Sequence, residues 1–155
     1  MAPIKISFKY FTKAKFLMLL PAEIETKTLI PALRAILAKK LIEDHKIREE
    51  EVSKMLGVTQ AAISNYVRGT RGDPELINKL LAVKEVSEMI NDICSNLASN
   101  MAYTPSSLSK FIGLCNYIKS SLLICDIHHK LESNIDEAIC KECENMLLKG
   151  PGSVF

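Results

Sequence analysis

At 155 residues, with 48% hydrophobic and 25% charged residues, the chain has the composition of an ordinary folded protein and is long enough for one domain or two small ones. Its 6 glycines, 6 prolines and absence of tryptophan favour helix over sheet and exclude a fibrous or disordered class. The net charge of +2 is unevenly divided: residues 1–72 hold 13 Lys/Arg against 7 Asp/Glu, and residues 73–155 hold 7 against 11, so the front half suits a polyanionic partner.

The first seventeen residues, MAPIKISFKYFTKAKFL, alternate at Ile4, Ile6, Phe8 and Tyr10, which predicts a short strand or arm with a basic face. The lysines at 5, 9, 13 and 15 are either solvated or laid on DNA. The apolar run FLMLL at 16–20 is far shorter than the roughly 18 residues of a spanning helix. No small-residue cleavage site follows it, so a cytoplasmic protein is expected.

From Pro31 the period becomes helical, with Leu33, Ile36, Leu37 and Leu41 spaced by three and four up to about Asp44. A second helix is expected at about 48–56, with Glu49, Glu50 and Glu51 at its dipole-favoured start and Gly57 at its end. Thr59 caps a third, Gln60–Val67. Asp73-Pro74 opens a fourth that runs to about Leu97 along Leu76, Leu80, Leu81, Val83, Val86, Ile90 and Ile93. The break at 99–107 precedes a helix at about 106–122. A last helix starts near Ser133 or Asn134, and the tail at 148–155 should fray. The predicted fold is all-α, with an arm at 1–20, a DNA-binding unit at 21–98 and a cysteine-rich helical unit at 104–147.

Residues 47–69, IREEEVSKMLGVTQAAISNYVRG, follow helix-turn-helix grammar. Ser53 supplies the small residue where the two helices touch, Gly57 the tight turn, and Val58 and Ile63 the apolar anchors, with Tyr66 behind them. That leaves Thr59, Gln60, Ala61, Ser64, Asn65 and Arg68 to face a major groove, with Arg68, Thr70 and Arg71 placed for phosphates. The stretch resembles the lambda-repressor/Cro-like family, which implies symmetric dimers on double-stranded DNA. Glu49 stands where that family often has a glutamine at the groove edge.

A wider resemblance rests on PAEIETKTLIPALRAILAKKLIEDH, with Pro21, Glu23, Ile24, Pro31 and Arg34, then on LGVTQAAISNYVRGTRG and the cysteine-rich tail. These are similar to archaeal predicted transcriptional regulators with a conserved-cysteine region. Ala22 replaces a cysteine frequent in that family.

Of 5 cysteines, three fall in ICDIHHKLESNIDEAICKEC at 124–143. Cys125-x2-His128 and Cys140-x2-Cys143 are knuckle-like pairs that together offer three thiolates and one imidazole to zinc. Cys115 in place of His128 would give the four thiolates of an iron–sulfur cluster. The resemblance implies cysteines at those four positions and a histidine at His128, without choosing the metal. The competing readings are a thiol or disulfide switch and plain packing, with Cys115 beside Ile112, Ile118 and Leu122. Cys94 reads as core, His45 as a helix-end cation, and His129 as pointing away from the pair.

The leading expectation is a dimeric, sequence-specific transcription regulator whose cysteine-rich part senses redox state or iron. The alternative is a protein-interaction module for a toxin or polymerase partner, its cysteines structural or in a disulfide. No glycine-rich phosphate loop, nucleophile elbow or carboxylate pair points to an enzyme.

Overall fold

The structure, a computed structural model, describes residues 19–132 and 135–149. Every regular element among them is helical, as the composition and periodicity predict. The expected strand or arm at 1–17, the helix start at Ser133 or Asn134 and residues 150–155 of the tail lie outside the described residues.

The chain enters its first helix earlier than expected. Pro21 takes the first position of α1 (Pro21–Ile24), and Glu23 returns its Oε2 to accept the Leu20 N–H at 2.9 Å. Helical backbone then continues through a π-helical stretch, Glu25–Leu29, into α2 (Ile30–Glu43). The expected start at Pro31 is thus corrected, because this proline sits inside a helical run. The wider coil absorbs it: the Ile30 N–H bonds to Glu25 O five residues back, just before the proline that has no N–H to give. Helix α2 is buried almost all round, through Ala32, Leu33, Ala35, Ile36, Leu37, Ala38 and Leu41. A helix with so little polar face is a core element.

The helices α3 (Glu49–Leu56), α4 (Gln60–Val67) and α5 (Pro74–Ala82) pack around α2. The predicted continuous helix from Pro74 is two: Val83 is extended (φ −87°, ψ 115°), and α6 (Lys84–Asn100) restarts behind it. The apolar spacing explains the break. Leu80 and Val86 are both fully buried, yet six residues turn a straight helix to about 120° off one face. An extended residue restores the phase.

Helix α6 ends at Met101 in the left-handed region (φ 48°). Thr104 then opens α7 (Pro105–Ser120), its Oγ1 accepting the Ser107 N–H while Ser107 Oγ accepts the Thr104 N–H. Two further helices follow, α8 (Cys125–Leu131) and α9 (Glu137–Lys149). The first was not separated in the sequence; the second begins where Asp136 Oδ1 accepts the Ala138 N–H.

One contiguous set of buried side chains runs from Ile24 to Ile127, through Ile90, Ile93, Leu97, Leu114 and Ile118. The helices carrying the first three cysteines, α6, α7 and α8, therefore share a core with α2–α5. Ion pairs cross the same boundary: Lys119 to Glu25 at 3.0 Å, Lys79 to Asp126, and Lys130 to Glu75. Each is worth at most about 1 kcal/mol, so they set register more than stability. Helix α9 contributes no buried residue and leans on α7.

Cys94 lies in this core, where burial pushes its thiol up to about 12. The unfolded thiol ionises lower, near 9.0. Its contribution to stability is therefore complete below about pH 8.5 and is lost as pH rises toward the folded value. Denaturant midpoints measured across this alkaline range should fall less steeply for Cys94→Ala than for the parent chain. Parallel curves would show that the thiol is not buried as described.

Candidate nucleic-acid interface and cysteine cluster

The predicted bounds of α4 match the structure, for local reasons. Gly57 ends α3 in the left-handed region (φ 63°), and the Val58 N–H closes on Ser53 O at 3.1 Å. Thr59 then caps α4, accepting the Ala62 N–H at 3.1 Å. Ser53 is buried at the contact between the two helices, its hydroxyl donating to Glu50 O at 2.6 Å. Ala62, Ile63 and Tyr66 bury the inner face of α4 against α2 and α3. Val58, the other predicted anchor, is partly buried against the same core.

The outer face is polar, or small. Thr59, Gln60, Ala61 and Arg68 are exposed, while Ser64 and Asn65 are half-buried. The structure adds two contacts that the sequence does not disclose. Asn65 Oδ1 accepts from Arg68 at 3.2 Å, and Thr70 donates its hydroxyl to Asn65 O at 3.1 Å. Arg71 lies over the Tyr66 ring, 5.6 Å from its centroid. Asparagine pairs with adenine through both its oxygen and its amide hydrogens. On such a base Asn65 would have to share its Oδ1 between the base and Arg68, whose Nε also donates to Ser64 O at 3.3 Å. Glu49, the first residue of α3, is half-buried.

Residues 39–88 match a helix-turn-helix family model. This stretch is a lambda-repressor/Cro-like helix-turn-helix domain. The domain type is a DNA-binding regulatory one, and the match spans α3, α4 and α5 with the end of α2 and the start of α6. No curated protein and no solved structure matches the chain. Among the described residues no helix is long and apolar enough to cross a membrane.

At the far end the five predicted metal-site residues are placed differently from one another. Cys125, half-buried, sits within electrostatic reach of Cys143 and Cys140, and burial above all pushes its thiol up to about 11. Cys140 and Cys143 are raised too, by burial first, then by neighbours that include Glu144. Cys115 faces elsewhere: it is buried beside Glu25 and Lys119, its thiol pushed up to about 11, mainly by burial.

The two histidines of α8 divide their roles. His128 Nε2 lies 3.0 Å from Glu132 Oε2, which also accepts the Leu19 N–H at 3.0 Å. His128 thus ties α8 to the start of the described chain. His129, expected to point away, places Nε2 3.5 Å from Cys140 Sγ. The donors at this end are Cys125, Cys140 and Cys143, which influence one another electrostatically, and His129 against Cys140. They suit zinc in kind, three thiols and an imidazole. Yet among the described residues no three donors surround one point as a metal would require. With every thiol raised, all are protonated at neutral pH, and uptake of a metal would release protons.

The cap and the turn govern how α4 is presented. Thr59→Ala should cost about 1 kcal/mol. Gly57→Ala should also cost about 1 kcal/mol, purely as left-handed strain, since an added Cβ meets nothing within 4 Å. Chemical denaturation checks both. A larger loss at Gly57 would mean that packing, not backbone conformation, selects the glycine.

Proposed function

We propose that the chain is a sequence-specific transcription regulator that binds double-stranded DNA as a homodimer, reading bases with the outer face of α4. The observation that carries this is a capped, core-anchored helix whose outward residues are Gln60, Ala61, Ser64, Asn65 and Arg68. Phosphate contacts by Arg68 and neighbouring cations supply most of the affinity and make it salt-dependent, while Gln60 and Asn65 supply selectivity. The basic balance of residues 1–72 supports the same face.

We further propose that the thiols of α8 and α9 take up zinc or an iron–sulfur cluster, which would organise this end of the molecule or make it responsive to redox state or iron. The support is the donor set itself: Cys125, Cys140 and Cys143 in mutual range, with His129 against Cys140. Bound there, a metal would supply structural cross-linking or an electron-accepting centre; the chain supplies thiols and an imidazole. Cys115 stands apart from this group and His128 is engaged by Glu132, so the support does not extend to them.

Fluorescence anisotropy on duplex DNA tests the first proposal. Gln60→Ala and Asn65→Ala should each lower discrimination between preferred and altered sites by about 1–3 kcal/mol. Arg68→Ala should weaken binding across sequences and reduce the salt slope by about 1. Equal loss on all sequences from all three variants would refute base reading by α4. Metal analysis of anaerobically purified protein tests the second. Bound zinc, or iron with sulfide and a brown colour, is the expected result; protein free of both refutes the metal proposal and leaves the DNA proposal standing.

A further inference from the structure

A cleft of about 330 Å³ lies between the helix-turn-helix and the helices that follow it. One wall is Met55, Leu56 and the Gly57 turn, the other is Tyr103 and Phe111, and Arg34 and Lys54 supply its charge. The two cations are not equivalent. Lys54 bonds Glu50 at 2.9 Å. Arg34, half-buried on α2, has no carboxylate partner among the described residues. Tyr103 is 53% exposed although its neighbours are core helices, so the cleft presents an uncovered aromatic face beside an unpaired guanidinium.

We infer that this cleft binds a small planar carboxylate, held by Arg34 at its anionic end and by Tyr103, Phe111 and Leu56 around its flat body. A guanidinium fork matches a carboxylate with two parallel hydrogen bonds. Aromatic rings and a branched aliphatic side chain suit a flat apolar body. The volume is at the lower limit of ligand sites and admits one or two rings rather than a nucleotide. With Lys54 already held by Glu50, the unpaired charge is that of one cation, the match for a monoanion.

The position gives the site a consequence. Its first wall, Met55 to Gly57, leads within two residues to Thr59, the cap of α4. Its other wall begins two residues after Met101, a non-glycine residue in the left-handed region. An occupant would touch both sides, and its effect on DNA binding would be that of an effector. That last role rests on the DNA-binding reading above; the ligand site does not.

Titration of the full chain with 2-naphthoate, followed by the probe's own fluorescence, tests the site without DNA; the chain's lack of tryptophan leaves that emission clear. Saturable binding is expected, displaced by benzoate but not by inorganic phosphate, with no binding of the neutral alcohol 2-naphthalenemethanol. Arg34→Gln and Tyr103→Ala should each weaken it by about tenfold or more. Tyr103 is exposed, so its variant should unfold at the parent temperature by circular dichroism and stays informative if Arg34→Gln does not fold. No saturable binding, displacement by phosphate, equal uptake of the alcohol, or unchanged affinity in Tyr103→Ala would overturn the inference. Saturating naphthoate should then shift duplex affinity about fivefold. An unshifted affinity, with duplex binding intact, would overturn the effector role alone.

Discussion

Helix α2 has almost no solvent face, and the rest of the molecule follows from that constraint. Seven of its side chains, from Ala32 to Leu41, are buried, on more than one side of the cylinder. Such a helix is stable only when other helices cover it. The π-helical stretch, α3, α4, α5 and α6 do so, and each turns its apolar stripe inward. For α4 that stripe is Ala62, Ile63 and Tyr66. Burying those three leaves Gln60, Ala61 and Arg68 exposed outside. The face proposed to read DNA is thus the complement of the face that covers α2.

The same core reaches beyond the helix-turn-helix. Ile90, Ile93 and Leu97 of α6 share it with Leu114 and Ile118 of α7, then with Ile124 and Ile127 at α8. The cysteine-bearing helices up to α8 are therefore built onto the DNA-binding domain rather than tethered to it. A change at Cys125 would meet the domain through packed side chains and through the Lys79–Asp126 and Lys130–Glu75 pairs. Helix α9, with Cys140 and Cys143, is the loosely held element, having no buried residue of its own. A ligand that fixed α9 to Cys125 would change the least anchored part of the described chain.

What the sequence disclosed follows the range of the forces involved. The bounds of α4 were legible because Gly57 and Thr59 act within one turn of where they sit. The helix-turn-helix anchors were legible because Ile63 and Tyr66 follow helical spacing. The break at Val83 was hidden, since Leu80, Val83 and Val86 continue a three-residue step that reads as one helix. Only the phase between Leu80 and Val86 betrays it. Pro31 misled because its missing N–H marks a helix start in most chains, and here a wider coil accommodates it. Which of His128 and His129 meets a thiol depends on the rotation of α8. That rotation is set by Ile124 and Ile127 in the core and by Glu132 reaching Leu19, contacts between residues distant in sequence. Adjacent histidines carry no local mark that tells them apart.

Base reading by α4 is the proposal on which the DNA-binding function depends. Selection of binding sites from a random pool of duplex DNA by the purified full chain tests it most directly. Enrichment of one motif is expected, as two inverted half-sites whose centres lie about 10 base pairs, one helical turn, apart. Salt-sensitive binding that persists through every round without enriching any motif would contradict it.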